Sequence, residues 1–380
     1  MSTPDSASSL YIGLMSGTSL DGVDGALAAF NNESGTLRTT LASAYIPFPA
    51  ALRAELLALQ SSGVDEIHRE ALAANQLVEH YAACVAALLE QSGVSAEQVE
   101  AIGVHGQTIR HRPEAGYTRQ TNNPALLAER TGIDVIADFR SRDIAAGGQG
   151  APLAPAFHHA MFSSREEDRV VVNIGGIANI TVLPSKLSQP VIGFDTGPGN
   201  VLLDAWIGQH NGQAYDAGGE WAKTGKVHGG LLTALRSESY LALPPPKSTG
   251  RDLFHTAWLA EKLADFPDIA SADVQATLTI FTATTIADAI KHHAPDTRAV
   301  YLCGGGAHNG YLVALIHLSL RLLRTDIVVD STQALGIAPQ HIEALAFAWL
   351  AQRFDTKQAA NLPAVTGAEG LRILGALYPA

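Results

Sequence analysis

Cysteine, strongly basic surface and long apolar runs are all scarce in this chain, and each scarcity closes off a class of function. The two cysteines, Cys84 and Cys303, stand far apart among apolar neighbours, which excludes a disulfide framework or a thiolate metal site and predicts buried thiols. Lysine and arginine number 25 against 37 aspartates and glutamates, and the net charge of -12 argues against nucleic acid, whose binding rests on a basic surface. A phosphate-bearing small molecule stays possible, because charges beyond about 8 Å are largely screened at physiological salt. No stretch approaches the ~20 uninterrupted apolar residues of a membrane span. Residues 1–9 are small and polar, without a basic segment or a signal-like apolar core. The expectation is a soluble, cytoplasmic protein with disorder confined to its ends and no membrane partner.

Two nucleotide-binding signatures are also missing. No G-x-x-x-x-G-K-[ST] occurs, and the glycine spacings fail G-x-G-x-x-G, so neither a P-loop nor a dinucleotide fold is supported.

What is present is an ordinary globular composition, 47% hydrophobic with 35 glycines and 18 prolines, in 380 residues. That length favours two lobes sharing a cleft. Apolar runs at 11–15 and 23–30 flank a glycine turn and predict a hairpin; 170–174 and 180–183 repeat the design around Gly175 and Gly176. Further strands near 101–105, 133–137, 191–195 and 299–303 alternate with helical patterns over 66–89, 202–209, 275–292, 311–323 and 341–354. The class is therefore α/β, with related lobes expected at 1–138 plus approximately 358–380 and at 139–357.

Chemistry concentrates at the turns. Gly17, Thr18, Ser19, Leu20, Asp21, Gly22, Val23 and Asp24 offer amides, hydroxyls and two carboxylates on one turn. Such a turn suits phosphate, with Asp21 or Asp24 holding Mg2+ directly or through water. The alternative is a structural hairpin whose aspartate satisfies its own turn. Gly304, Gly305 and Gly306 follow a strand and open a helix, giving a flat surface for a nucleoside or simply a tight turn.

His105 and Gln107 end a strand with side chains suited to sugar hydroxyls, although His105 taken alone reads as structural. Arg140 and Arg142, with Gln149 in the following glycine-rich loop, suit carboxylates or phosphates, unless they pair with Asp138 and Asp143 to fasten that loop. Asp195, in GFDTGPGN, is delivered by an apolar strand to a glycine turn before a helix. It reads as a general base beside an anion at the helix amino terminus, or as a turn cap.

Taken in order, GLMSGTSLDGVD, GVHGQTIRH, DFRSRDIAAGGQGAPLAP, NIGGIANIT, GFDTGPGN and CGGGAHN, with the ending LGALYPA, resemble the anhydro-N-acetylmuramic acid kinase family over nearly the whole chain. The resemblance implies a two-lobed fold of the actin, Hsp70 and hexokinase class (ribonuclease H-like) with a central ligand cleft. It also implies ATP with Mg2+ as phosphoryl donor and 1,6-anhydro-N-acetylmuramic acid as acceptor, within peptidoglycan recycling and amino-sugar metabolism.

By motif, residues 17–24 become the first phosphate loop. Asn173, Gly175, Gly176 and Asn179 belong to the second, Gly304 to Gly306 to the nucleoside site, and Asp195 becomes the catalytic aspartate. Glu343 joins Arg140, Arg142 and Gln149 as a sugar-side or closure-linked group. Members of the family commonly form homodimers, although the residues carry no interface signature of their own. Competing readings are a kinase for a sugar with a free hydroxyl, a nucleotide-gated sugar sensor, and a simple glycoside hydrolase.

Overall fold

The computed structural model describes residues 8–17, 19–322 and 324–380; residues 1–7, expected to be disordered, lie outside it. The chain divides into two compact units, Met1–Met161 with His341–Ala380, and Phe162–Gln340. These boundaries differ from the expected 138/139 and 357/358. Beyond Asp138 the chain still packs on the first unit, where Phe157 meets Trp349 edge-on at 6.1 Å. The second crossing comes before, not after, the late apolar helix.

The first unit opens with an antiparallel meander, β1 (Ser8–Met15), β2 (Gly22–Asn31) and β3 (Leu37–Pro47). Helix α1 (Glu66–Ser92) covers one face of it. Its residues Leu77, Tyr81, Cys84 and Leu88 recur at helical spacing and bury against Ile12, Leu14, Val23 and Leu27. Each such large side chain taken from water contributes roughly 1.5–3 kcal/mol. This helix is long and apolar enough to cross a membrane by composition alone, and its apolar stripe is core here. Gly93, at φ 70°, ends it in the left-handed conformation that glycine tolerates best.

Strand β4 (Val99–Val104) then lies parallel to β1, followed by a separate ribbon, β5 (Gln107–Arg112) with β6 (Tyr117–Thr121), and by β7 (Val135–Ala137) beside β4.

The second unit repeats the scheme. Strands β8 (Arg169–Ile174), β9 (Ile177–Leu183) and β10 (Ile192–Pro198) form an antiparallel meander. Helices α2 (Val201–Asn211) and α3 (Ser271–His293) follow. Strand β11 (Ala299–Cys303) lies parallel to β8; after α4 (Gly310–Arg321), β12 (Val328–Ser331) lies parallel to β11. Alternation sends Val170, Val172, Ile174, Ile180 and Phe194 to one face, where they pack on Ala283, Ile286, Leu312 and Ile316.

The chain returns to the first unit as α5 (Ile342–Asp355) and β13 (Ala376–Tyr378), the latter antiparallel to β7. Helix α5 rests directly on strand backbone. A Cβ on Gly13 would stand 1.8 Å from the Ala344 carbonyl oxygen, and one on Gly103 2.0 Å from that of Phe347.

Sheet orders are β13-β7-β4-β1-β2-β3 and β10-β9-β8-β11-β12. In both, a three-stranded meander carries a parallel strand beside its first member. The two units thus repeat one α/β scheme, as the sequence leads one to expect.

Candidate active site

In the first unit the β1–β2 turn is tied down from below. The Ser16 hydroxyl meets the Tyr81 hydroxyl at 2.7 Å and donates to the Gly106 carbonyl at 3.0 Å, and the Gln107 amide donates to the Gly17 carbonyl at 3.0 Å. Leu20 takes a left-handed φ of 60°, its amide returning to the Gly17 carbonyl. The Ser19 hydroxyl donates to Asp21 Oδ1 at 2.5 Å. Thr18 lies outside the described residues. Val23 requires a correction: it belongs to β2, pairs with Ile46 and is fully buried, so its side chain is core and not part of an open turn. Gly22 is likewise strand, where a Cβ would stand 2.5 Å from the Ile46 carbonyl oxygen.

Asp24 reaches solvent from β2, yet limited solvation, then the charges of Glu343 and Asp21, push its carboxyl up to about 7. Among the described residues no group of three or more His, Cys, Asp or Glu gathers as a ready ligand set. Mg2+ in phosphoryl-transfer sites usually takes one or two carboxylates and completes its shell with phosphate oxygens and water. The mutual repulsion at Asp24 is what such a cation would relieve, so these residues fit it.

His105 and Arg140 form one assembly. Arg140 Nε and Nη2 lie 3.1 and 2.9 Å from His105 Nε2, and Nη1 donates to the Gly150 carbonyl at 2.8 Å. With Nε2 accepting, the proton sits on Nδ1, facing the Ser16 carbonyl at 3.3 Å. Burial, and then the guanidinium, hold the imidazole well below its usual range and therefore neutral. Burial also lowers Arg140 to about 10, against the attraction of Glu343 and Asp143.

Among the described residues no ion pair joins Arg140 or Arg142 to Asp138 or Asp143, and Arg140 holds the loop through the Gly150 carbonyl instead. Asp143, fully buried, accepts from the Gly150 amide at 2.8 Å, the Asn361 amide at 2.8 Å and the Thr366 hydroxyl at 2.9 Å. Asp138 accepts from the Ser141 hydroxyl. Arg142 and Gln149 are exposed, the latter anchored by its backbone amide to the Thr366 carbonyl at 2.7 Å.

In the second unit, register does the assembling. Asn173 stands opposite Asn179, and Asn179 opposite Asp195, so the three share one sheet face across β8, β9 and β10, opposite the apolar face. A bulge after Asp195 turns the strand toward Gly197. Half-buried Asp195 is gripped by a segment about fifty residues downstream. The Thr249 amide donates to Oδ2 at 3.0 Å, the Tyr240 hydroxyl to the Asp195 carbonyl at 2.9 Å, and the Asp195 amide to the Lys247 carbonyl at 3.2 Å. Burial raises the carboxyl to about 6, against the Thr249 hydrogen bond and the Lys247 charge. Sequence reasoning missed Lys247, Thr249 and Tyr240; the only signal was the proline run 244–246 holding them in a turn.

The amino terminus of α2 is partly engaged by the chain itself. The Asn200 and Val201 amides donate to the Gly175 and Gly176 carbonyls at 2.9 and 3.0 Å. The glycine turn thus takes up the first amide of the helix. Gly304 has φ 78°, and a Cβ there would meet Asn173 Oδ1 at 2.3 Å; one on Gly306 would meet Ile174 Cγ2 at the same distance. The glycine loop is thus pressed onto the end of β8, beside the Asn173 row. Gly219 closes on its far side, with Asn309 Oδ1 2.4 Å from a Cβ built there, a contact absent from the expectations.

The chain matches the description of the anhydro-N-acetylmuramic acid kinase family over residues 9–380. It belongs to that family. Kinases of this name from Burkholderia cenocepacia and Burkholderia thailandensis are 57% identical over 98% of this chain and 97% of the relative, and 55% identical over the full length of both. That from Burkholderia pseudomallei is 54% identical, again over both full lengths. As a kinase of this family, the protein presents glycine turns without core side chains beside two sets of polar groups. One set lies around Asp24 and His105, the other around Asp195.

Proposed function

We propose that the protein uses ATP to open the 1,6-anhydro ring of 1,6-anhydro-N-acetylmuramic acid and phosphorylate its 6-oxygen, yielding N-acetylmuramic acid 6-phosphate and ADP. The observation that carries this reading is the environment of Asp195. Its carboxyl is raised only to about 6 and held at Oδ2 by one amide, so it remains ionised at neutral pH with Oδ1 available to a water. A base poised just below the working pH is what general base catalysis needs.

A 1,6-anhydro sugar has no 6-hydroxyl to deprotonate. Asp195 takes a proton from water as that water bonds to the anomeric carbon. The bond from that carbon to the 6-oxygen breaks, the 6-oxygen bonds to the γ-phosphorus, and ADP departs with the electrons of the bridging bond. A glycosidase would need a second carboxyl to protonate the leaving oxygen. Here the phosphoryl group takes that place, so one carboxylate suffices.

Asp24, with Asp21, would hold Mg2+, which supplies charge neutralisation for the phosphates. The amides of the β1–β2 turn and the glycine surface at Gly304, Gly305 and Gly306 would orient the nucleotide. His105 and Gln107 are buried and committed to bonds within the scaffold, so of this cluster it is Arg140, with N–H groups to spare, that would bind a sugar oxygen. The test is to offer ATP with either the anhydro sugar or plain N-acetylmuramic acid and to measure phosphoryl transfer. Transfer to the anhydro sugar supports the reading, whereas transfer confined to the plain sugar would make the protein an ordinary hydroxyl kinase.

A further inference from the structure

The segment that grips Asp195 also carries a cation held apart from it. Lys247 Nζ donates to the Tyr240 and Leu241 carbonyls at 3.2 and 3.0 Å, and lies 4.8 Å from the Tyr240 ring centroid and 5.8 Å from that of Phe194. The same residue's carbonyl accepts the Asp195 amide, and two residues on, Thr249 donates to Oδ2. One short segment therefore sets the backbone, one carboxylate oxygen and the nearest fixed positive charge of Asp195. Oδ1 is given no partner among the described residues.

A lysine paired directly with the carboxylate would occupy the oxygen that must take a proton. A buried carboxylate with no cation nearby would be driven toward its neutral form. Lys247 meets neither fate, because two carbonyls and two ring faces anchor its ammonium elsewhere.

We propose that Lys247 is a positioning residue for this reaction: its anchored charge keeps Asp195 ionised, while its segment fixes the carboxylate with Oδ1 open to water. The inference rests on the reading of Asp195 as the base. Other charged and titratable groups lie around the segment. Arg236 pairs with Asp288 at 2.6 Å, Glu238 accepts from the Trp258 indole at 2.8 Å, and Asp252 acts on Tyr240. His293, edge-on to Phe194 at 4.8 Å, is lowered by burial and then by His292 and Lys247. Lys247 also borders a cavity of about 760 Å³ between β10 and the end of α3, so a neutral side chain of similar length has room there.

The experiment compares the full-length parent with K247Q, which keeps donors for the two carbonyls but loses the charge, and with K247R, which keeps the charge. K247M is a second neutral variant should K247Q fail to fold. Asp195 is titrated directly through its carboxyl carbon in protein labelled with 13C-aspartate, the signal identified by its loss in D195N, and kcat/KM is followed against pH in parallel. The neutral variants should raise the Asp195 midpoint and the acid limb of kcat/KM together, by about half a pH unit or more, with K247R close to the parent. An unmoved midpoint in a folded neutral variant overturns the proposal. A midpoint that moves while the acid limb stays overturns the catalytic reading of Asp195 and the role of Lys247 with it. A parent without turnover of the anhydro sugar sinks the functional reading alone, and the carboxyl titration then decides whether Lys247 governs Asp195.

Discussion

Glu343, on the first turn of α5, sets its charge against Asp24 of β2, and with limited solvation leading, the two effects together with Asp21 lift the Asp24 carboxyl to about 7. A proton and Mg2+ then compete for one carboxylate near neutral pH. The Mg2+ concentration for half-maximal activity should rise as pH falls from about 8 to about 6, and E343Q should move that rise to lower pH. Asp24→Asn should raise the Mg2+ requirement by about tenfold or more, the loss typical when a metal site loses an oriented group. A requirement that is flat across this range would remove Asp24 from the metal site.

Asp195→Asn should lower kcat by about 10²–10⁴-fold, the usual worth of a general base, while nucleotide affinity measured by calorimetry stays within a few fold. In the parent, kcat/KM should fall below pH 6, where the carboxyl takes its proton. The stability consequence has the opposite sign. A carboxyl raised in the folded state binds its proton more tightly there than in the unfolded chain, so stability declines as pH rises from about 4 toward 6. The neutral Asn variant should therefore be at least as stable as the parent above pH 6, and thermal unfolding at two pH values checks it.

Asp143 should prove to be scaffold. Truncating it to Ala strands the Gly150 amide, the Asn361 amide and the Thr366 hydroxyl in a buried site, and should cost roughly 3 kcal/mol or more in denaturant unfolding. A loss under about 1 kcal/mol would mean that the loop is held by other contacts.

Gly306→Ala would drive a Cβ to 2.3 Å from Ile174 Cγ2 and lift the glycine loop off β8. Titration with a non-hydrolysable ATP analogue should show binding weakened at least about tenfold, the equivalent of 1.4 kcal/mol. Undiminished binding would place the nucleoside elsewhere.

Local chemistry was legible in the sequence, and long-range register was not. The glycine turns at Gly17 and Gly175, the strand delivering Asp195 and the helix over 275–292 are local patterns, written in neighbouring residues. The Asn173, Asn179 and Asp195 row exists only because three strands pair in one register, a relation that no spacing within a strand encodes. The grip of Lys247 and Thr249 on Asp195 crosses some fifty residues through backbone amides, to which the side-chain alphabet is blind. The bonds from the Asn200 and Val201 amides at the start of α2 were hidden for the same reason, since carbonyls of Gly175 and Gly176 carry no mark in the sequence. The unit boundary was misplaced because α5 is apolar on most of its surface, and composition alone does not say which sheet it covers.

The most direct measurement is the mass of the product formed from ATP and 1,6-anhydro-N-acetylmuramic acid, beside a control without ATP. The account predicts a sugar that has gained one phosphoryl group and one water together, with nothing formed in the control. A phosphorylated product with its anhydro ring intact, or an opened sugar in the absence of ATP, would contradict it.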